Sequence, residues 1–259
     1  MAIKGAKNIL ALKRSKVRQA EHKYLIEGIR LCEEALASNA PLEQLIFCRE
    51  SIDRNKRLED LFQTTVQKNI PIQQTDWRAF KGMSDTETPQ GVLGVVSMPQ
   101  WDRNSILNAN GPLLILDRIS DPGNLGMIMR TAEAAGCAGL FLTRGSVELF
   151  NPKVVRATMG AIFRLPTFSR QNGTEVLTEL RQHNIPILAA HINGTPFHNL
   201  QTKNPVALLL GNEAFGIDPD LLALANHTVT IPMNAPVESL NIAVATGILL
   251  YKLHELNVT

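Results

Sequence analysis

Apolar residues recur along this chain with two different periods, and the alternation between those periods divides it into elements. YLIEG, QLIFC and IPIQQ are short apolar runs that predict strands, and GVLGVVSM, apolar nearly throughout, predicts a central strand covered on both faces. Helical spacing marks a basic opening segment, IRLCEEALAS up to about Asn39, and a stretch around Leu58 to Lys68. Residues 1–98 therefore predict a small α/β unit. The polar stretch PQWDRNSILNANGP, punctuated by Pro99, Gly111 and Pro112, is expected to be a linker over 99–111.

The remainder, 112–259, alternates more clearly. LLILD, AGLFLT, PILAAH, PVALLL and TVTIP predict five strands. Pro122 to Ala135, Pro152 to Met159 and Glu175 to His183 predict helices, as does a last one in which Leu240, Val244, Gly247, Ile248 and Tyr251 share helical spacing. Strands with helical crossovers point to an α/β fold with a mainly parallel, helix-covered sheet, whose ligands bind at the carboxyl ends of the strands.

Three loops at such ends carry candidate chemistry. In LDRISDPGNLGMIMRTAEAAG, Asp121 is placed to cap a helix, Pro122 to start it and Gly136 to end it. Leu125, Met129, Ala132 and Gly136 form its core stripe, while Gly126, Arg130 and Glu133 share another face, where Gly126 removes bulk beside the guanidinium so that a phosphate could reach Arg130, or Glu133 could pair with it. ALLLGNEAFGI breaks at Gly211 into Asn212-Glu213, a turn where a glycine would let a ligand approach the backbone. It lacks the GK[ST] of a phosphate-binding P-loop. In IPMNAPVESLNIAVATGILLYKL, Glu238, Ser239 and Asn241 stand between strand and helix, with Ser239 placed as N-cap. Between these loops, NPKVVRATMGAIFRLP offers Asn151, Lys153 and Arg156 as a further phosphate-contacting surface or merely a helix face.

Composition adds little beyond class. With 44% hydrophobic and 19% charged residues the chain reads as globular. No apolar run is long enough to span a bilayer, and the first residues lack a signal-peptide core, so a cytoplasmic protein is expected. Cys32, Cys48 and Cys137 are too few and too widely spaced for a disulfide framework or zinc site, the six histidines form no HExxH, and no metal is expected. Trp77 and Trp101 read as packing residues. Net charge is only +2, yet Lys4, Lys7, Lys13, Arg14, Lys16 and Arg18 all precede the first acidic residue, Glu21. That segment could neutralise phosphates or be a solvated terminus.

Taken in order, NLGMIMRTAEAAG, LLLGNEAFGI and IPMNAPVESLNIAVATGILLY resemble the three motifs of the SpoU/TrmH family of RNA ribose 2′-O-methyltransferases, of the SPOUT class, in particular the group acting on guanosine of 23S rRNA. The likeness covers about residues 112–254, and KRSKVRQAEHKYLIEGIRLCEEAL resembles the family's substrate-binding extension, similar to ribosomal protein L30e. The resemblance implies an α/β methyltransferase domain with a deep C-terminal trefoil knot, a homodimer with its active site at the subunit interface, and an RNA substrate. Ribosomal RNA is expected over transfer RNA, because the extension resembles a ribosomal-protein module.

By the same resemblance, S-adenosylmethionine would be held in the knot largely by main-chain groups at Leu209, Gly211, Ile231, Met233 and Leu240. Asn124, Arg130, Glu213, Ser239 and Asn241 match the polar active-site positions, and Lys13, Arg14, Arg18, Lys153 and Arg156 are expected to contact RNA. Thr158 stands where the family usually has serine, and Asn234-Ala235 replace a loop that more often contains glycine. The arginine matching Arg130 is a proposed general base in the family. A guanidinium is a poor base, so Arg130 is expected to hold the adjacent phosphate while water or a phosphate oxygen takes the proton. A non-catalytic RNA-binding protein would be marked by loss of Arg130, Ser239 and Asn241, and all three are present. A base methyltransferase would place its methyl elsewhere on the nucleotide.

Overall fold

The structure, a computed structural model, describes residues 6–202 and 205–258, without the side chains of residues 6, 7, 257 and 258. Lys4 and the Lys7 side chain, both part of the expected basic segment, lie outside the described residues.

In chain order the first elements are α1 (Ala6–Ala11), α2 (Ser15–Glu21), β1 (Lys23–Glu27), α3 (Ile29–Ala37), β2 (Leu42–Cys48), α4 (Arg49–Ile52), α5 (Lys56–Gln67), β3 (Ile72–Thr75), α6 (Trp77–Met83) and β4 (Val92–Ser97). The sheet order is β1-β4-β2-β3, so the apolar run GVLGVVSM is an inner strand, antiparallel to β1 and β2. Gly94 sits opposite Ile26 and Leu45, and a Cβ there would come within 2.8 Å of both side chains. The neighbours close over that gap. Helix α5 starts where the Asn55 side chain accepts from the N–H groups of Arg57 and Leu58, and α6 where Asp76 accepts from Ala79. Ile9, Leu12, Phe80 and Met83 cover the Leu25, Ile46 and Leu93 side of the sheet.

The chain continues with α7 (Arg103–Leu107), β5 (Leu113–Leu116), α8 (Pro122–Ala134), β6 (Gly139–Thr143), α9 (Pro152–Ala157), β7 (Thr167–Gln171), α10 (Gly173–Gln182), β8 (Ile187–Pro196), β9 (Ala207–Leu210), α11 (Pro219–Leu222), β10 (His227–Thr230) and α12 (Ile242–Val258). Six strands run in the order β10-β8-β9-β5-β6-β7 and every neighbouring pair is parallel. Strands β5 and β9 are wholly buried, consistent with their unbroken apolar sequence. Helix α8 has the expected ends: Asp121 Oδ1 accepts from Asn124 N at 2.7 Å, Pro122 begins the helix, and Gly136 follows it at φ +75°.

By its internal contacts the chain forms two compact units, one containing residues up to Gln100 with Phe150–Phe163, the other Trp101–Leu149 with Arg164 onward. The segment around α9, expected with the second unit, clusters with the first: the Phe150 ring lies 4.5 Å from that of Tyr24, and α9 packs on β1. The stretch 99–111, expected as a linker, is largely structured. Ile106 and Leu107 of α7 are buried in the second core. The Arg103 guanidinium lies 4.8 Å from the Phe141 ring centroid and binds both carboxylate oxygens of Glu179. Polar spelling hid those anchors. Strand β7 has no counterpart among the predicted elements because TFSRQ is a partly exposed edge strand without an apolar run.

Candidate active site

The three motif loops meet at the carboxyl ends of β5 and β9 and the start of α12. Asn124, in the first turn of α8, is 9% exposed and donates its side-chain amide to Glu213 Oε1 at 3.0 Å. Its amide oxygen accepts from Asn241 Nδ2, also at 3.0 Å. Ser120 Oγ reaches Glu213 Oε2 at 3.3 Å. One hydrogen-bonded chain, Asn241 to Asn124 to Glu213, thus joins all three motifs. Burial pushes the Glu213 carboxyl up, but hydrogen bonds from Asn124, from its own backbone and the Ser120 backbone, and from the Ser120 hydroxyl together bring it below the usual carboxylate range. It is a charged acceptor near neutral pH.

Asn241 also caps α12, its Oδ1 accepting from Ala243 N at 2.9 Å. This corrects the expectation that Ser239 is the N-cap. The helix starts at Ile242, so Asn241 is the residue whose side chain reaches the first free N–H groups. Ser239 is exposed and lines a cavity instead.

That cavity, about 180 Å³, is walled by Ala190, Ile192, Val229, Ile231, Met233 and Leu240, with Ser239 and Glu238 at its polar side. Three expected cofactor-holding residues, Ile231, Met233 and Leu240, are on its wall. Leu209 and Gly211 are not. Leu209 is fully buried within β9, and Gly211 answers a different constraint: a Cβ there would strike the Gly216–Ile217 backbone at 2.1 Å. The glycine lets the turn fold on itself. Among the described residues, Ile231, Met233 and Leu240 make no backbone hydrogen bond within the chain, and within residues 231–240 the Val237 N–H donates to the Asn234 carbonyl. An apolar cavity edged by unpaired main-chain donors and acceptors fits an adenosyl group held by backbone contacts.

Arg130 is exposed on α8, and among the described residues it has no hydrogen-bond or ion-pair partner. Glu133, its expected neighbour in a pair, is bound by Arg164 instead. Gly126 is buried, so it does not open space beside an exposed guanidinium. Helix α8 packs on α12, and both keep apolar side chains in solvent: Met127, Val244 and Tyr251.

The expected RNA contacts divide. Arg14 and Lys153 are exposed. Arg18 is only 3% exposed, and its guanidinium donates to the Leu12 and Lys13 carbonyls at 2.8 Å, fastening α1 to α2. Lys13 donates to the Ser84 carbonyl at 2.8 Å and pairs with Asp85 at 3.0 Å. Arg156 is half-buried in a cleft with Glu27 and Asp85. Arg18 and Lys13 are thereby committed to partners within the fold. Of the residues the motif reading passed over, Ser120 supplies donors to Glu213, and Asp117 anchors the loop before α8. The Asp117 carboxylate is 2% exposed and accepts from Thr143 Oγ1 at 2.9 Å and Asp218 N at 3.0 Å. An aspartate directly after a buried strand is a sequence signal for such an anchor.

Residues 111–251 match the SpoU rRNA Methylase family, and residues 4–94 an MRM3-like substrate binding domain. The 23S rRNA (guanosine(2553)-2'-O)-methyltransferase RlmP of Bacillus subtilis is 33% identical over 92% of this chain and 91% of its own length. An AdoMet-bound rRNA methyltransferase from Sinorhizobium meliloti superposes with TM-score 0.82 at 28% identity, covering 98% of this chain and 95% of that one. The SpoU methyltransferase AviRb of Streptomyces viridochromogenes, in complex with AdoMet, gives 0.85 at 25% identity and 98% coverage of both chains. With these matches added to three motifs joined in one polar network, the chain belongs to the SpoU rRNA methylase family and is an S-adenosylmethionine-dependent RNA 2′-O-methyltransferase.

Proposed function

We propose that the chain methylates a ribose 2′-hydroxyl of ribosomal RNA, with a guanosine of large-subunit rRNA as the favoured target. The observation that carries this reading is the Asn241–Asn124–Glu213 network beside the cavity wall at Ser239 and Leu240. The rRNA substrate of the Bacillus subtilis relative supports the target. The first unit would hold the rRNA as an L30e-like module, with Arg14 and Lys153 as its exposed cations.

Ile231, Met233 and Leu240 would hold S-adenosylmethionine in the cavity, where it would supply a methyl group on a sulfonium whose leaving form is a neutral thioether. The protein's part is positioning. Arg130 holds the phosphate next to the target ribose, and the proton of the 2′-hydroxyl passes to water or a phosphate oxygen. Glu213, kept ionised by its donors, fixes Asn124, which in turn aims Asn241, while Ser239 faces the cavity. In-line alignment of this kind supplies a large part of such a rate enhancement.

Two further features belong to the same reading. The chain works as a homodimer with the active site at the subunit interface; the exposed Met127, Val244 and Tyr251 on the packed helices α8 and α12, beside the unpartnered Arg130, support this. The second unit is a deep trefoil knot; the match of residues 111–251 to the SpoU rRNA Methylase family supports that. A cytoplasmic setting suits the three free cysteines.

The test is transfer of labelled methyl from S-adenosylmethionine to unmodified total RNA, with rRNA and tRNA separated and the labelled linkage challenged by alkali. A 2′-O-methyl group blocks alkaline attack on the adjoining phosphodiester. Label in an alkali-stable dinucleotide from rRNA is the expected result. Label in alkali-labile nucleotides would mean base methylation and would overturn the reading.

A further inference from the structure

Phe215 is 84% exposed, the most exposed large apolar side chain among the described residues, and it sits in the same turn as Glu213. Exposed apolar residues are common singly, and this one is set apart by how firmly its backbone is held. Asn212 N donates to the Gly216 carbonyl at 3.0 Å and Gly216 N returns a bond to Asn212 at 2.9 Å. The Asn212 side chain accepts from Ala214 N at 2.8 Å and Phe215 N at 3.1 Å, and donates to the Arg118 carbonyl at 2.7 Å. Gly216 adopts φ +69°, a left-handed conformation that closes the turn. The ring is therefore presented on a rigid support, with no aromatic partner among the described residues.

Its position matters as much as its rigidity. Phe215 is two residues from Glu213, so their Cα atoms are at most about 7 Å apart. The Glu213 carboxylate is fixed to Asn124, at the centre of the polar network. A strand whose ribose lies at that network would bring a base within reach of an unpartnered aromatic face, and a flat π-face accepts any base.

We propose that Phe215 is a stacking platform for a nucleobase of the RNA strand being methylated, and that it positions the strand for transfer. The proposal rests on the RNA-methyltransferase reading of the neighbouring network. Stacking desolvates the ring and fixes the base plane, which sets the direction of the attached ribose. It asks for a single-stranded or splayed segment at the target, since a base inside a duplex offers no free face.

Methyl transfer to an in-vitro transcript of large-subunit rRNA, measured for wild type and for Phe215→Ala, Phe215→Leu and Phe215→Tyr, tests this. Phe215→Ala is expected to lower kcat/KM about five- to a hundred-fold, mainly through KM for RNA, with S-adenosylmethionine affinity and Tm unchanged. Phe215→Tyr should restore the wild-type value, and Phe215→Leu should not. Restoration by leucine, or an alanine variant equal to wild type, overturns stacking. So does a change in sedimenting mass for Phe215→Ala, which would place the ring in a protein contact. A wild-type chain that leaves every RNA unlabelled fails the methyltransferase reading itself, a result separate from any of these.

Discussion

Arg18 of the first unit and Arg130 of the second are used in opposite ways. In the first, Arg18 turns inward to bind the Leu12 and Lys13 carbonyls, and Lys13 is committed to Ser84 and Asp85. In the second, the polar network closes through the Asn124 and Asn241 amides, the Glu213 carboxylate and Ser120, and Arg130 stays in solvent. The difference is one of available acceptors. A helix corner leaves free carbonyls that a long guanidinium can reach, whereas Glu133, the carboxylate nearest Arg130 in sequence, is taken by Arg164. A side chain the fold does not use is free for a ligand.

The sharpest way to break that contrast is Arg130→Ala. Methyl transfer should fall about 100-fold or more, the scale expected when a group that aligns reactants is removed, while S-adenosylmethionine affinity changes less than about twofold. Single-turnover rates and calorimetric titration of the cofactor check it. Equal loss of both would make Arg130 part of the cofactor site.

Asn124→Ala tests the network from within, with a smaller effect of about tenfold on transfer, as for one or two lost hydrogen bonds at a partly buried site. Its signature is in pH. The hydrogen bonds hold the Glu213 carboxyl below its usual range, so the contribution of its charged form is present above that range and is lost as pH falls through the folded value. Removing a donor raises that value. The acid limb of the rate profile should move to higher pH in the variant, and an unmoved limb would separate Glu213 from catalysis.

Much of the second unit was legible in sequence because its signals are local. Asp121-Pro122 and Gly136 announce the ends of α8, and apolar runs mark β5 and β9. Asn124, Glu213 and Asn241 belong to recognisable motif loops, although their pairing is a product of tertiary structure. What was not legible depends on distant partners. Nothing in KRSKVRQ says that Arg18 folds back while Arg14 does not, and nothing in ESLN says that Asn241 and not Ser239 caps α12, since both are good capping residues two positions apart. Nor does the sequence say that the Gly216–Ile217 backbone fills the space a side chain at Gly211 would need. Phe215 drew no notice, because a phenylalanine in a sequence usually reads as a core residue.

The smallest effect on transfer separates the two arginines of the opening helices. Arg14 is exposed and has no partner among the described residues, so Arg14→Ala should leave Tm within the range of ordinary surface changes, about 0.5 kcal/mol. If it meets a phosphate, the slope of log affinity for rRNA against log salt should lessen by about 0.7, the value for one neutralised phosphate on a single strand. Arg18→Met should do the reverse. Its loss leaves two carbonyls at a buried corner without a donor, at a cost of about 1–3 kcal/mol, and the salt slope stays as it was. Thermal unfolding and filter binding over a salt series read both. Should Arg18→Met lessen the slope while Tm holds, the inward guanidinium would have to turn outward on RNA, and Arg18 would then be used as Arg130 is.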